Sequence, residues 1–288
     1  MKKDLTKYSK PLVSVILPTF NRAEYIKKSI ESVLIQNYEN FELIVVNDGS
    51  TDNTLNIISN FAKKDPRIKI INNKVNIGLA KSLNKGIKKA NGKYVARIDD
   101  DDFWCDKDKL KKQAEFLNKN SNYALVGGGV IKINKKGKEI VRHRLPEKDK
   151  EIREKMLLDD CFVHPAVMFK KSSWQKAGGY NENLSFSEDW DLWLKLGKIG
   201  KLYNFPDYFV CYLQGGQNVS SYNIKRNLKI NINLRKKYKN DYPHFWKAYF
   251  LGWAYYFYAF LPFKKTFRPL LSKIKKIIFG EPVYLCQK

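Results

Sequence analysis

The strongest constraint on this chain lies in its first hundred residues, where short apolar runs and helical patterns take turns. Val13–Leu17 (VSVIL), Phe41–Val46 (FELIVV), Ile68–Ile71 and Tyr94–Ile98 are each a few residues long and rich in Val and Ile. Bounded by turn residues, such runs read as strands covered on both faces. Between them, Ala23–Gln36 places Ile26, Ile30, Val33 and Leu34 on one helical face, with Asn21 as its N-cap. Asp52–Ala62 reads as a second helix, and Leu79–Ala90 as a third, closed by an Asn91-Gly92 C-cap. Strands separated by helices of this length predict an α/β fold with a parallel sheet and helices on both faces. In such sheets ligands bind beyond the carboxyl ends of the strands. Polar clusters stand at those ends: Thr19–Arg22, Asn47–Asp52, Asn76–Gly78 and Asp99–Asp102.

After Asp102 the pattern becomes mixed. Tyr123–Ile133 and Glu139–Arg142 predict a hairpin around Lys136-Gly137, Val163–Phe169 a strand, and Trp190–Leu196 a short amphipathic helix. Asn223–Tyr238 predicts a basic helix, followed by the uncharged, aromatic run Ala248–Phe263 and a string of lysines. The expected organisation is a catalytic domain over 1–215 and a basic, aromatic helical tail over 216–288. Within the first, a nucleotide-binding half spans about 11–104 and an acceptor-binding half about 105–215. Hydrophobic residues make up 43% of the chain, which excludes disorder. Cys105, Cys161, Cys211 and Cys286 contain no CxxC pair, which excludes a zinc knuckle and predicts free thiols in a reducing compartment. The lysine-rich start lacks the apolar stretch of a secretion signal, so a cytoplasmic location is expected. Net charge is +25, and from Gln217 onward 15 Lys/Arg face only Asp241 and Glu281. Nucleic acid, an anionic membrane and an anionic substrate all suit such a charge, so charge alone does not choose a function.

Four consecutive carboxylates at a strand end, Asp99–Asp102, repel one another. They read either as a solvated acidic turn or as a site that a cation neutralises. All-oxygen ligands favour magnesium or manganese, which bridge carboxylates to substrate phosphates. Asp48 reads either as an Asx turn or as an acceptor for a base edge. Glu188-Asp189 opens a helix whose N-terminus stabilises anions; it is either a cap or a general base placed beside Trp190 and Trp193. His164, before Pro165, reads as a core histidine first and a phosphate or acceptor contact second.

Five blocks in this order carry a resemblance: VSVILPTFNR, ESVLIQNYENFELIVVNDGSTDNT, NIGLAKSLNKGI, GKYVARIDDDDFW and GGYNENLSFSEDWDLWLKL. From about Pro11 to about Tyr212 the chain resembles glycosyltransferase family 2, the inverting family with the GT-A fold. The resemblance implies a Rossmann-like, mostly parallel central sheet with flanking helices, and a nucleoside-diphosphate-sugar donor. It implies that Pro18, Thr19, Phe20, Asn21 and Arg22 line the nucleotide pocket, that Asp48 holds the base, often uracil, and that Lys81 meets the nucleotide. Arg97, Asp99 and Asp100 fall in the donor site, with Asp99 near the ribose. The resemblance also implies that Asp101 holds a divalent manganese or magnesium ion, that Asp102 shares the metal or acceptor role, that Asp189 is the catalytic base, and that Glu188 orients it or the acceptor. His164, Trp190 and Trp193 stand on the side of a glycan or lipid-linked acceptor.

Two rivals are weighed against this reading. A nucleotidyltransferase that makes a nucleotide-sugar shares the paired acids and the sheet, but expects a glycine-rich loop after the first strand. Pro18–Arg22 contains no glycine. A nucleic-acid or membrane binding module would explain the tail, yet the acidic strand ends do not suit a phosphate-backbone binder. No nucleic-acid partner is therefore expected. The tail reads either as a peripheral attachment to an anionic membrane's inner face or as a helical pair packed on the catalytic domain.

Overall fold

The apolar runs become the interior of one sheet because every residue in the first two strands is shielded. β1 (Val13–Thr19) and β2 (Phe41–Asn47) are buried at all positions. β3 (Ile68–Asn72) and β4 (Tyr94–Arg97) join them in parallel, in the order β3-β2-β1-β4. In this computed structural model, residues 10–214 and 223–260 are described. One face of the ladder carries Val13, Val15 and Leu17, which join Ile26, Ile30 and Val33 of α1 (Ile26–Leu34) in the main core. The other face receives α3 (Leu79–Lys89). A Cβ on its Gly86 would stand 3.0 Å from Ile16 Cγ2 and Val46 Cγ2, so the helix backbone lies directly on the sheet. α2 (Thr54–Lys64) links β2 to β3.

Beyond β4 the sheet continues in mixed sense. The further strands are β5 (Phe103–Trp104), β6 (Tyr123–Ile133), β7 (Glu139–His143), β8 (Met168–Lys170) and β9 (Lys201–Leu213). β8 lies antiparallel between β4 and β6, β6 pairs in parallel with β9, and β5 closes the edge. The helices α4 (Lys109–Lys119), α5 (Asp149–Lys155), α6 (Lys171–Lys176) and α7 (Glu188–Ile199) complete this half. β9 escapes a period-two reading because Pro206 and the polar residues of KLYNFPDYFVCYL break its alternation.

Three local expectations are corrected. Asn21 is not the N-cap of α1; it adopts φ 52° and uses its Oδ1 to accept the Thr51 N–H at 2.8 Å, and Tyr25 precedes the helix. Asn91-Gly92 forms no left-handed cap, since Ala90 ends α3 in an extended conformation. Gly92 is instead required by proximity, because a Cβ there would meet Ser14 N at 2.5 Å. Val163–Phe169 is not one strand: a 3₁₀ turn over His164–Ala166 precedes β8, because Pro165 has no N–H for a ladder.

The chain divides into two units, the first built from 10–153 and 161–214 and the second from 154–160 and 223–260 in their described parts. The short segment 154–160 thus belongs with the tail, although by sequence it falls inside the catalytic domain. In this second unit α8 (Ile224–Lys237) and α9 (Phe245–Tyr258) pack together where Gly252 faces Ile232. The buried Arg235 donates from Nε to Leu157 O at 2.9 Å and from Nη2 to Leu158 O at 3.3 Å. The last three residues of the aromatic run, the lysines after it and Cys286 lie outside the described residues.

The glycine run of β6 has a steric cause. A Cβ on Gly128 would come within 2.3 Å of the Phe209 ring. Gly128→Ala is expected to destabilise the protein by about 1–3 kcal/mol through overpacking, read as a lower urea midpoint at unchanged slope; an unchanged midpoint would refute the close approach.

Candidate active site

The parallel register puts the polar clusters on one edge, since Thr19, Asn47 and Asn72 are neighbours across β1, β2 and β3. The loops after β1 and β2 are cross-braced there. Asn21 N donates to Ser50 Oγ (3.0 Å), Arg22 N to Thr54 Oγ1 (2.9 Å) and Ala23 N to Asp52 Oδ2 (3.1 Å). Pro18 and Thr19 are buried at the strand end, while the Phe20 ring is 41% exposed. Lys81 is exposed on the first turn of α3.

Asp48 is 4% exposed and already holds a loop. Its Oδ1 accepts from Asn73 Nδ2 (2.8 Å) and Ile77 N (2.9 Å), and its Oδ2 from Gly78 N (2.9 Å). Three of the roughly four acceptor positions of a carboxylate are thereby used. Sequence reasoning did not see this tie, because nothing local joins Asp48 to residues 25 to 30 positions onward.

The four aspartates after β4 meet four different fates. Asp99 Oδ1 lies 2.5 Å from Nη1 of Arg97, whose side chain is 1% exposed. Asp100 faces the β1 loop, 3.4 Å from Phe20 N through Oδ2 and 3.4 Å from Arg22 Nε through Oδ1. Asp102 is buried, accepts the Leu213 N–H at 3.0 Å, and receives Ser29 Oγ on its backbone carbonyl at 2.6 Å. Asp101 alone of the four makes no hydrogen bond or ion pair with another described residue. Burial and then Asp101 push the Asp100 carboxyl up to about 7, against Thr19 and Arg22. Burial and Asp99 push Asp101 to about 6, and burial with both neighbours holds Asp102 well above the carboxylate range. Asp102 thus ties the acidic loop to β9, and the Arg97 guanidinium is buried against Asp99.

Asp189 and Glu188, some ninety residues further on, reach the same Arg97. α7 begins at Glu188 after Ser187, which adopts φ 58°. Asp189 Oδ1 accepts the Trp190 N–H at 2.7 Å, and its Oδ2 stands 3.7 Å from His164 Nδ1. Burial raises Asp189, opposed by the Trp190 N–H and by Arg97; burial and Asp189 push Glu188 to about 7. The charge of Asp99 raises both further, so the two acidic groups lie within electrostatic reach of each other. Burial, reinforced by Arg97, holds His164 well below the usual histidine range, so its imidazole is neutral at pH 7 and pairs through Nε2 with the Tyr180 hydroxyl at 2.8 Å. Trp190 and Trp193 are 3% and 0% exposed. Both rings are buried, and the Trp193 ring stands edge-on to His164 at 5.5 Å.

Asn84 and Tyr180 fall within the quoted blocks, but sequence pattern assigned neither of them a role. Asn84 of α3 donates from Nδ2 to Tyr180 O and accepts the Tyr180 N–H, both at 2.9 Å, which clamps the loop that delivers Tyr180. Its signal is an amide on the apolar face shared with Ala80, Leu83 and Ile87. The set of carboxylates fits a divalent ion of the kind held by one or two protein oxygens and completed by substrate phosphates. Among the described residues no three His, Cys, Asp or Glu side chains form a metal cage, and Asp101 is the carboxylate left open.

A profile of the glycosyl transferase family 2 matches residues 14–176. The chain belongs to glycosyl transferase family 2. This family 2 enzyme is therefore a glycosyltransferase. It is 36% identical over 230 residues to an uncharacterized glycosyltransferase of Haemophilus influenzae, covering 75% of this chain and 70% of that one. Two solved structures share its GT-A fold. One is S. aureus TarS 1-349 in complex with UDP-GlcNAc (TM-score 0.62, 23% identity), where the match covers 77% of this chain and 66% of that one. The other is the mannosyltransferase PcManGT from Pyrobaculum calidifontis in complex with GDP-Man and Mn2+ (TM-score 0.63, 18% identity), with 95% and 77% covered.

The raised Asp100 has a measurable sign. Its folded pKa of about 7 lies above the unfolded 3.8, so its stabilising effect is complete below about pH 4 and is lost as pH rises through 7. Asp100→Asn, which mimics the protonated form, should gain up to about 4 kcal/mol relative to wild type between about pH 4 and about pH 8. Urea unfolding at both pH values checks this; an identical difference at each would refute the shift.

Proposed function

We propose that this glycosyltransferase moves a sugar from a nucleoside-diphosphate-sugar, a UDP-sugar by preference, to a hydroxyl of a glycan or lipid-linked acceptor, with inversion at the anomeric carbon. The observation that carries the reading is the convergence of the unpaired Asp101 and the Asp189 pair around one buried arginine. TarS with UDP-GlcNAc and PcManGT with GDP-Man and Mn2+ support the donor class and the ion. The braced loops Pro18–Arg22 and Asn47–Asp52 would hold the nucleotide, with Asp48, Asp99 and Asp100 toward base and ribose and Lys81 beside the entrance. Asp101 would hold manganese or magnesium, which when bound supplies positive charge against the departing diphosphate. Asp189 would accept the proton of the acceptor hydroxyl as that oxygen attacks the face opposite the leaving group. Glu188 would share charge with Asp189, and neutral His164, fixed by Tyr180, would hold the base's rotamer. Arg97 acts on these groups from below by charge. The proposed setting is assembly of bacterial surface polysaccharide or lipopolysaccharide, on the cytoplasmic side of the membrane.

The test uses UDP with Mn2+ and a panel of nucleotide-sugars. Asp101→Ala is expected to abolish the stabilisation that UDP and Mn2+ give together. Asp189→Ala should keep that stabilisation and lose sugar transfer or slow donor hydrolysis by at least about a hundredfold. Near-normal turnover by Asp189→Ala would remove the base assignment. Release of pyrophosphate rather than nucleoside diphosphate would instead favour nucleotide-sugar synthesis.

A further inference from the structure

Helix α9 is built inside out. The residues it buries are small: Ala248 and Gly252 along the helix and Ala259 just past its end. Among the residues it exposes are large aromatic rings: Trp246 is 66% exposed, Phe250 65%, Phe257 64%, and Phe260, just beyond the helix, 50%. Steps of three and four residues through Trp253 align these rings into one stripe about 20 Å long. Trp246 stacks on Phe250 at 6.1 Å and Trp253 on Phe257 at 5.7 Å, and Tyr249 joins the two pairs, 6.2 Å from Phe250 and 6.3 Å from Trp253. Scattered exposed apolar residues are ordinary, but a contiguous aromatic face marks an interaction surface.

What flanks the stripe selects the partner. Lys225 Nζ lies 3.7 Å over the Phe260 ring, Lys229 5.6 Å over Tyr256 and Lys236 5.3 Å over Tyr249. Neither α8 nor α9 contains an Asp or Glu. A second copy of this face would bring lysines against lysines, whereas a surface of anionic headgroups would meet them with opposite charge. Among the described residues no helix is long and apolar enough to cross a membrane. A helix with rings on one side and cations beside them is suited to lie in the interface plane, its aromatic face about 5–10 Å deep.

We infer that the α8–α9 face is a docking surface for an anionic lipid bilayer, with Trp246, Phe250, Trp253 and Phe257 entering the headgroup layer and Lys225, Lys229 and Lys236 pairing with lipid phosphates. This goes beyond the proposed membrane-side setting by assigning the contact face and its headgroup charge, and it holds whichever donor the enzyme uses.

The experiment is co-sedimentation of the full-length protein with vesicles of phosphatidylcholine alone and of phosphatidylcholine mixed with phosphatidylglycerol, at low and high salt. The expected result is pelleting with the mixed vesicles only, reversed by salt, with a blue shift of tryptophan emission. The combined variant Trp246→Ser, Phe250→Ser, Phe257→Ser should weaken partition at least about tenfold. The combined variant Lys225→Glu, Lys229→Glu, Lys236→Glu should do the same. Both should keep the wild-type melting temperature and the stabilisation by UDP and Mn2+. Equal pelleting with neutral vesicles, or wild-type pelleting by either variant, overturns the inference. So does a lipid-free dimer that the aromatic variant converts to monomer, since the stripe would then belong to a second copy. Loss of UDP and Mn2+ binding by the wild type would count against the transferase site alone and leave the vesicle result standing.

Discussion

A guanidinium with no route to solvent sits beneath four consecutive carboxylates, and the catalytic half is arranged around that fact. Carboxylates packed at one strand end raise one another's pKa, and burial raises them further. Left alone they would take up protons and lose the charge that a donor site needs. Arg97 offsets this from below, where the low dielectric makes its charge count for more. It pairs with Asp99 on one side and lowers Asp189 on the other. One cation thus acts on both acidic groups, although they are ninety positions apart in sequence.

Around that centre the fold divides the acids by partner. Asp102 is committed to β9 through Leu213, Asp48 to the loop before α3, and Asp100 to the loop after β1. These ties run largely to backbone, those of Asp48 and Asp102 at 2.8–3.0 Å and those of Asp100 at 3.4 Å, so the strand-end loops are braced by the protein itself, which is the preorganisation that electrostatic catalysis requires. Asp101 is spared. His164 is likewise committed, since burial and Arg97 lower its pKa and its Nε2 is bonded to the Tyr180 hydroxyl.

The second unit follows a different rule. Its core holds Leu157, Ile232, Leu234, Tyr238 and Tyr242 beside a buried arginine satisfied by the Leu157 and Leu158 carbonyls, yet α9 contributes Ala248 and Gly252 to it and turns Trp246, Phe250 and Phe257 outward. Hydrophobic area left exposed beside basic side chains is unfavourable in water, and such an arrangement is stable in evolution where another phase removes the exposure.

Strand and helix identity in the first hundred residues was legible because fully shielded strands are continuous apolar runs and their helices keep a 3.6 period. The edge that carries the site was legible too, since polar clusters recur at the same end of successive parallel strands. Family membership followed from five ordered blocks. Tertiary structure alone decided which carboxylates are free. Asp99 to Asp102 are identical letters in a row, and only contacts from Arg97, Arg22 and Leu213 tell them apart. It also decided that Trp190 and Trp193 are buried and that the aromatic face of α9 looks outward. Periodicity shows that a helix has a face; whether that face meets protein or solvent depends on partners distant in sequence, which local pattern does not encode.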